Sequence, residues 1–159
     1  SNINAYKRKK SLLGDEVSVC GLINNFINLF KLDKEWICQV HVTSPFLKVE
    51  TLNEVEVLSK NSSFDSIVSC NLIQTRFWKK ENYGFIPVNH NPMVLQQTQD
   101  LAEYYEENSL FYAFRADNFK KTNTRIGVNP HFYKTEFPEN LDIDTEEDWS
   151  LVKKIAESN

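Results

Sequence analysis

Apolar positions recur along the chain with two different periods. Val19, Cys20, Ile23, Phe26, Ile27 and Phe30 fall at helical spacing and predict an amphipathic helix. The run "WICQVHV", Trp36 to Val42, is short, apolar and β-branched, and predicts a buried strand. "TSP", Thr43 to Pro45, ends it, because proline cannot continue a β ladder. Val49, Leu52, Val55, Val57 and Leu58 predict a second helix, and "FDSIVSCNLI", Phe64 to Ile73, a second strand. Strands and helices alternating at this spacing indicate an α/β sheet with crossovers.

The middle of the chain breaks this alternation. "RFWKKENYGFIPV", Arg76 to Val88, places strand-like runs on either side of "ENYG", where Gly84 suits a turn. An aromatic hairpin of this kind is either an association surface or a local lid. "NHNPMVLQQTQD" follows with no clear period. "SLFYAF", Ser109 to Phe114, predicts a strand, "DNFKKTN" a short helix and "HFYKTEF" a late strand. Near the end, Trp149, Val152, Ile155 and Ala156 predict a helix over Glu146 to Ala156. Thr145 suits its N-cap, with Asp148 three residues later as in a capping box. Glu146 and Glu147 lie in its first turn, where the positive end of the helix dipole favours them.

Those acids belong to "NLDIDTEEDW", which packs five carboxylates into ten residues. Capping accounts for them from Asp144 onward but not for Asp142. In an extended segment Asp142 and Asp144 share one face, while Leu141, Ile143 and Thr145 share the other. Two like charges so placed repel unless a cation lies between them. One or two carboxylates completed by substrate phosphates is the set magnesium prefers. Solvated acids are the alternative reading.

Bulk properties narrow the field. A chain of 159 residues suffices for one domain with a real core, and 41% hydrophobic residues exclude disorder. A net charge of −4 argues against a general nucleic-acid binder. No apolar run is long enough to span a membrane, and no charged-then-apolar leader is evident. Cys20, Cys38 and Cys70 are widely spaced and sit in apolar segments, which reads as core thiols of a reducing, cytoplasmic compartment. His41, His90 and His131 are too scattered to suggest zinc.

Five segments in order carry a family resemblance: "VHVTSPFLKVETLNEV", "FDSIVSC", "TQDLAEYYEENSLFYAF", "RIGVNPHFY" and "ENLDIDTEEDW". Together they resemble the acylneuraminate cytidylyltransferases, the CMP-sialic acid synthetases and their relatives, from about Arg8 onward. The resemblance implies a Rossmann-like nucleotidyltransferase: an α/β three-layer sandwich with a mostly parallel sheet. It implies transfer of CMP from CTP to an acidic 2-keto-3-deoxy sugar, sialic acid or a related nonulosonic acid, with release of pyrophosphate. It assigns Mg2+ to Asp142 and Asp144, whose "D-I-D" matches the family's metal motif. Arg8, and Ser18 one position from the expected serine, match residues that contact cytidine. His41 stands where the family directs a glutamine at the sugar, and Tyr112 matches a tyrosine near it. In "QTQDL", with Gln97 and Gln99, Gln97 replaces an arginine that can grip the substrate carboxylate; glutamine offers no bidentate charged fork.

The front of the chain departs from the family. Gly14, Gly21, Gly84 and Gly127 are each isolated, so no nest of successive N–H groups is available for a triphosphate. The expectation is one partial domain over residues 1–159, N-terminally truncated, whose residues 76–100 form an arm for homodimer formation. Two functions follow from it: the sugar-binding half of a cytidylyltransferase, inactive alone, or a non-catalytic oligomerisation or sugar-binding remnant.

Overall fold

A computed structural model describes residues 3–14, 16–61 and 63–158. The helices are α1 (Val19–Phe30), α2 (Val49–Ser59), α3 (Ala116–Thr122) and α4 (Glu146–Ser158). The strands are β1 (Trp36–Val40), β2 (Ser66–Ile73), β3 (Trp78–Glu81), β4 (Gly84–Pro87), β5 (Tyr104–Arg115) and β6 (Pro130–Lys134). Helix α1 has the limits its apolar stripe predicts. The Ser18 hydroxyl caps it, accepting the Gly21 N–H at 3.1 Å. It ends at Lys31 in the left-handed conformation (φ 55°), where the Leu32 N–H returns to the Ile27 carbonyl at 3.0 Å.

Strand β1 is two residues shorter than expected. The His41 N–H still bonds the Leu110 carbonyl at 3.1 Å, but the Ser44 N–H then turns back to the His41 carbonyl at 3.3 Å. Val42 is left 99% exposed. The four longer strands are hydrogen-bonded in the order β1-β5-β2-β6. Pairing of His41 with Leu110 and of Ala116 with Glu35 makes β1 and β5 antiparallel. Pairing of Asp65 with Asn129 and of Thr135 with Cys70 makes β2 and β6 parallel. The fold is therefore mixed α/β. Cys38 corrects one expectation: Cys70 is buried and Cys20 half-buried, but Cys38 is exposed. It sits in the alternating half of an edge strand, where successive side chains face opposite ways.

The chain divides into two compact units. The first comprises Ser1–Gln39, Asn53–Ile67 and Tyr112–His131. Its core gathers Ile23, Ile27, Val55, Ile67, Phe114 and Phe119, the last two rings 5.3 Å apart. The motif "RIGVN" closes a tight loop in this unit. The Asp65 carboxylate accepts the N–H groups of Val128 (2.7 Å) and Asn129 (3.1 Å), and Ser66 Oγ accepts that of Gly127 (2.9 Å). Two successive N–H groups are thus satisfied by one carboxylate and the third by the neighbouring hydroxyl, which ties the loop to the start of β2.

The second unit comprises Val40–Leu52, Val68–Phe111 and Phe132–Asn159. Val68, Cys70, Leu101, Leu110, Phe111 and Val152 are its buried apolar residues. The buried Ser69 hydroxyl donates to the Phe111 carbonyl and accepts its N–H, both at 3.1 Å, so neither polar group is stranded. Residues 78–87 form the expected hairpin, with Trp78 opposite Pro87 and Glu81 opposite Gly84. Gly84 adopts φ +139°, a conformation that admits glycine and few other residues. Trp78, Tyr83, Phe85 and Ile86 are all exposed.

Candidate active site

The acidic motif divides its labour. Thr145 and Asp148 form the capping box at the start of α4: Thr145 Oγ1 accepts the Asp148 N–H at 3.2 Å, and Asp148 Oδ2 accepts the Thr145 hydroxyl at 2.7 Å and N–H at 2.8 Å. The Thr145 hydroxyl and then its N–H hold the Asp148 carboxyl below the usual carboxylate range. Asp148 also accepts the Asp144 N–H at 3.2 Å. With capping assigned to Asp148, the Asp142 and Asp144 carboxylates are free of that duty.

The segment before the helix is not a strand. Residues 141–144 lie outside any ladder: some of the backbone bonds here turn back on nearby residues, and one reaches across to the turn after β1. The Asn140 N–H returns to the Glu136 carbonyl (3.2 Å) and the Leu141 N–H to the Pro138 carbonyl (3.1 Å). The Ile143 N–H bonds the Thr43 carbonyl at 3.0 Å and Asp142 Oδ1 at 3.1 Å. The first of these bonds fastens the "D-I-D" segment to the "TSP" turn after β1. Asp142 is half-buried and Asp144 exposed.

Side chains that sequence reasoning missed pin the same segment. Glu139 is 5% exposed, and its Oε1 accepts the Lys48 N–H at 3.1 Å just before α2. The Lys48 ammonium lies 3.6 Å from its other oxygen. Asn140 Nδ2 donates to Asn71 Oδ1 at 2.9 Å, and Asn108 Nδ2 donates to the same oxygen at 2.9 Å. Asn108 Nδ2 also reaches Thr135 Oγ1 at 2.7 Å, while Asn71 Nδ2 donates to Glu106 at 3.0 Å. Glu139 and Asn140 open the acidic motif and were visible there. Asn71, Asn108 and Thr135 share no spacing that could have flagged them.

The other expected residues fall in two groups. His41 begins the turn that Ile143 grips, in the second unit. Ser44 in that turn is buried, and its hydroxyl has no hydrogen-bond partner. Gln97 and Gln99, also in the second unit, bond to each other through their side-chain amides. Arg8, Ser18 and Tyr112 belong to the first unit. Ser18 is occupied as a helix cap. Arg8 is exposed and lines a cavity of about 180 Å³ with Tyr6, Asn25, Phe26 and Phe30. Tyr112 is 3% exposed, and the Arg125 guanidinium stacks on its ring 3.8 Å from the centroid. Arg125 also donates to Gln39 Oε1 at 3.1 Å. Its position at the head of "RIGVNP" was the available signal.

Asp142 and Asp144 suit a hard divalent cation in kind: both offer carboxylate oxygens, and neither is in an ion pair among the described residues. No group of three or more His, Cys, Asp or Glu capable of holding a metal is assembled among the described residues. A divalent cation held by this pair would therefore need further oxygen ligands from outside these side chains.

Comparison with known proteins agrees with the family resemblance. The cytidylyltransferase family model matches residues 3–159, and the chain belongs to that family. It is 26% identical over 153 residues to N-acylneuraminate cytidylyltransferase A of Danio rerio. That alignment covers 94% of this chain and 35% of the relative, so the chain spans about a third of the relative's length. No helix among the described residues is long and apolar enough to cross a membrane.

Proposed function

We propose that this chain carries the metal- and sugar-binding side of a CTP-dependent cytidylyltransferase acting on an acidic 2-keto-3-deoxy sugar. The observation that carries the reading is the Ile143–Thr43 bond, which fastens the acidic pair beside the turn where His41 stands, in a chain of this family. The name of the Danio rerio relative supports a nonulosonic acid as the sugar. Bound magnesium would neutralise triphosphate charge and polarise the α-phosphorus. Asp142 and Asp144 would hold it, and the pinned backbone from Glu139 to Thr145 would keep them in place. His41, Gln97 and Gln99 would offer hydrogen bonds to the sugar, and Arg8 and Ser18 contacts to cytidine; Tyr112 is buried with Arg125 stacked on its ring, so its part would be to hold that arginine. The exposed aromatics of the 78–87 hairpin support a homodimer contact through residues 76–100.

The four glycines are isolated, so the sequence carries no glycine-rich phosphate loop. We therefore expect this chain to bind its ligands without turnover. Two assays test the reading: Mn2+ binding in the presence of CTP, followed by electron paramagnetic resonance, and pyrophosphate release with CTP, magnesium and a panel of nonulosonic acids. Asp142→Asn and Asp144→Asn should each weaken Mn2+ binding by about tenfold or more, with the urea midpoint unchanged. Metal binding indifferent to both substitutions would remove the metal assignment. Pyrophosphate release by these residues alone would show that no glycine-rich loop is needed.

A further inference from the structure

The turn at residues 96–100 is built almost wholly from neutral amides. Gln96 Nε2 donates to the Asp100 carbonyl at 2.6 Å. Gln74 Nε2 bridges the Gln99 and Leu101 carbonyls at 3.0 and 2.9 Å. Gln97 and Gln99 bond to one another. One cation enters this assembly: Arg76, two residues beyond Gln74, donates Nη2 to the Gln96 carbonyl.

Arg76 is half-buried and makes no ion pair among the described residues. Asp100, the acid of the same turn, is exposed and is not paired with it either. A guanidinium has five N–H donors in a fixed planar fork. A single backbone carbonyl satisfies one of them. Partly removing such a cation from water without a counter-charge is unfavourable, and a ligand carboxylate would supply that charge in bidentate geometry.

We propose that Arg76 is the residue that grips the carboxylate of the acidic sugar, which makes it a specificity-determining position on an element distant in sequence from Gln97. This rests on the sugar-binding reading given under Proposed function. Gln97 cannot supply the charge itself, but it adjoins the residue whose carbonyl Arg76 holds, so the cation is delivered to the same turn from the β2–β3 connection.

The test is calorimetric binding of N-acetylneuraminic, legionaminic and pseudaminic acids, each compared with its methyl ester, in the presence of magnesium and CTP. The ester keeps the shape and removes the charge. The wild-type chain should bind one of the acids at least about tenfold more tightly than its ester. Arg76→Gln keeps a donor for the Gln96 carbonyl and removes the charge, so the acid–ester ratio should fall to about one while the ester's affinity stays the same. Arg76→Lys keeps the charge without the fork and should give an intermediate ratio. Gln97→Arg in the Arg76→Gln background should restore part of the preference, a result that a purely structural role for Arg76 would not produce. Two-dimensional amide spectra establish that each variant is folded. An unchanged ratio in folded Arg76→Gln overturns this proposal and leaves the sugar reading standing. A wild-type chain that binds neither acid nor ester overturns both.

Discussion

Replacing Gly127 with alanine tests how the "RIGVN" loop is held. A methyl group there would lie within 3.0 Å of three atoms of the Asp65 carboxyl group. That carboxylate cannot swing aside freely, because it accepts N–H groups from Val128 and Asn129 and a hydroxyl from Ser66 at 3.1 Å. Forcing an extra carbon into a filled site costs about 1–3 kcal/mol. Loosening hydrogen bonds to a charged acceptor adds roughly 1.5 kcal/mol, the low end of the range, since water can reach the exposed Val128 and Asn129. The total expected loss is about 2.5–4.5 kcal/mol. At about 2–4 °C per kcal/mol for a protein of this size, the melting temperature should fall by roughly 5–18 °C. Urea unfolding and calorimetry of the single variant measure it. In an Asp65→Ala background the same methyl group has room, so its added cost there should stay below about 1 kcal/mol. If Gly127→Ala lies within about 0.5 kcal/mol of wild type, the loop is not packed against that carboxylate and the account is wrong.

The Asp148 cap makes an acid-side prediction. Its folded pKa is depressed, so its stabilising contribution is complete above the ordinary aspartate value, near 3.9, and is lost as pH falls through the depressed value. The stability gap between wild type and Asp148→Asn should be constant above about pH 5 and narrow below about pH 3.9; a gap that widens on acidification contradicts the capping assignment. The hairpin makes the other prediction: sedimentation at rising concentration should show a dimer that Trp78→Ser with Phe85→Ser abolishes, and a wild-type monomer throughout would remove the arm's proposed role.

Periodicity alone located most of the secondary structure. The stripe from Val19 to Phe30 and the pattern from Val49 to Leu58 mark helices because one face of each is buried, with Ile23, Ile27 and Val55 inward. The strand β5 was half legible. "SLFYAF" is apolar and mostly buried, but the strand begins earlier, at Tyr104, in polar residues that face solvent and leave no hydrophobic signal. Ser109 takes φ +61° between the two halves and interrupts the alternation that would have joined them. In the site, Thr145 and Asp148 were readable because a cap is local and has a fixed spacing. Arg76 and the Gln74 bridge were not, because their partners lie some twenty or more residues away and are backbone carbonyls, which any sequence possesses.

The four attachments of the acidic segment, at Lys48, Asn71, Thr43 and Asp148, have a consequence for affinity. A loop that must be frozen by its ligand subtracts the lost chain entropy, about 1–2 kcal/mol for each residue ordered, from the binding energy. Here that ordering is completed when the protein folds. Asn71 concentrates it, since one side chain receives both Asn140 and Asn108 and passes on to Glu106. On the proposed metal reading, a substitution at this asparagine, which is bonded to neither Asp142 nor Asp144, would return the cost to the binding step: a cation would meet the same two carboxylates and be held less tightly, because it would have to assemble its own site.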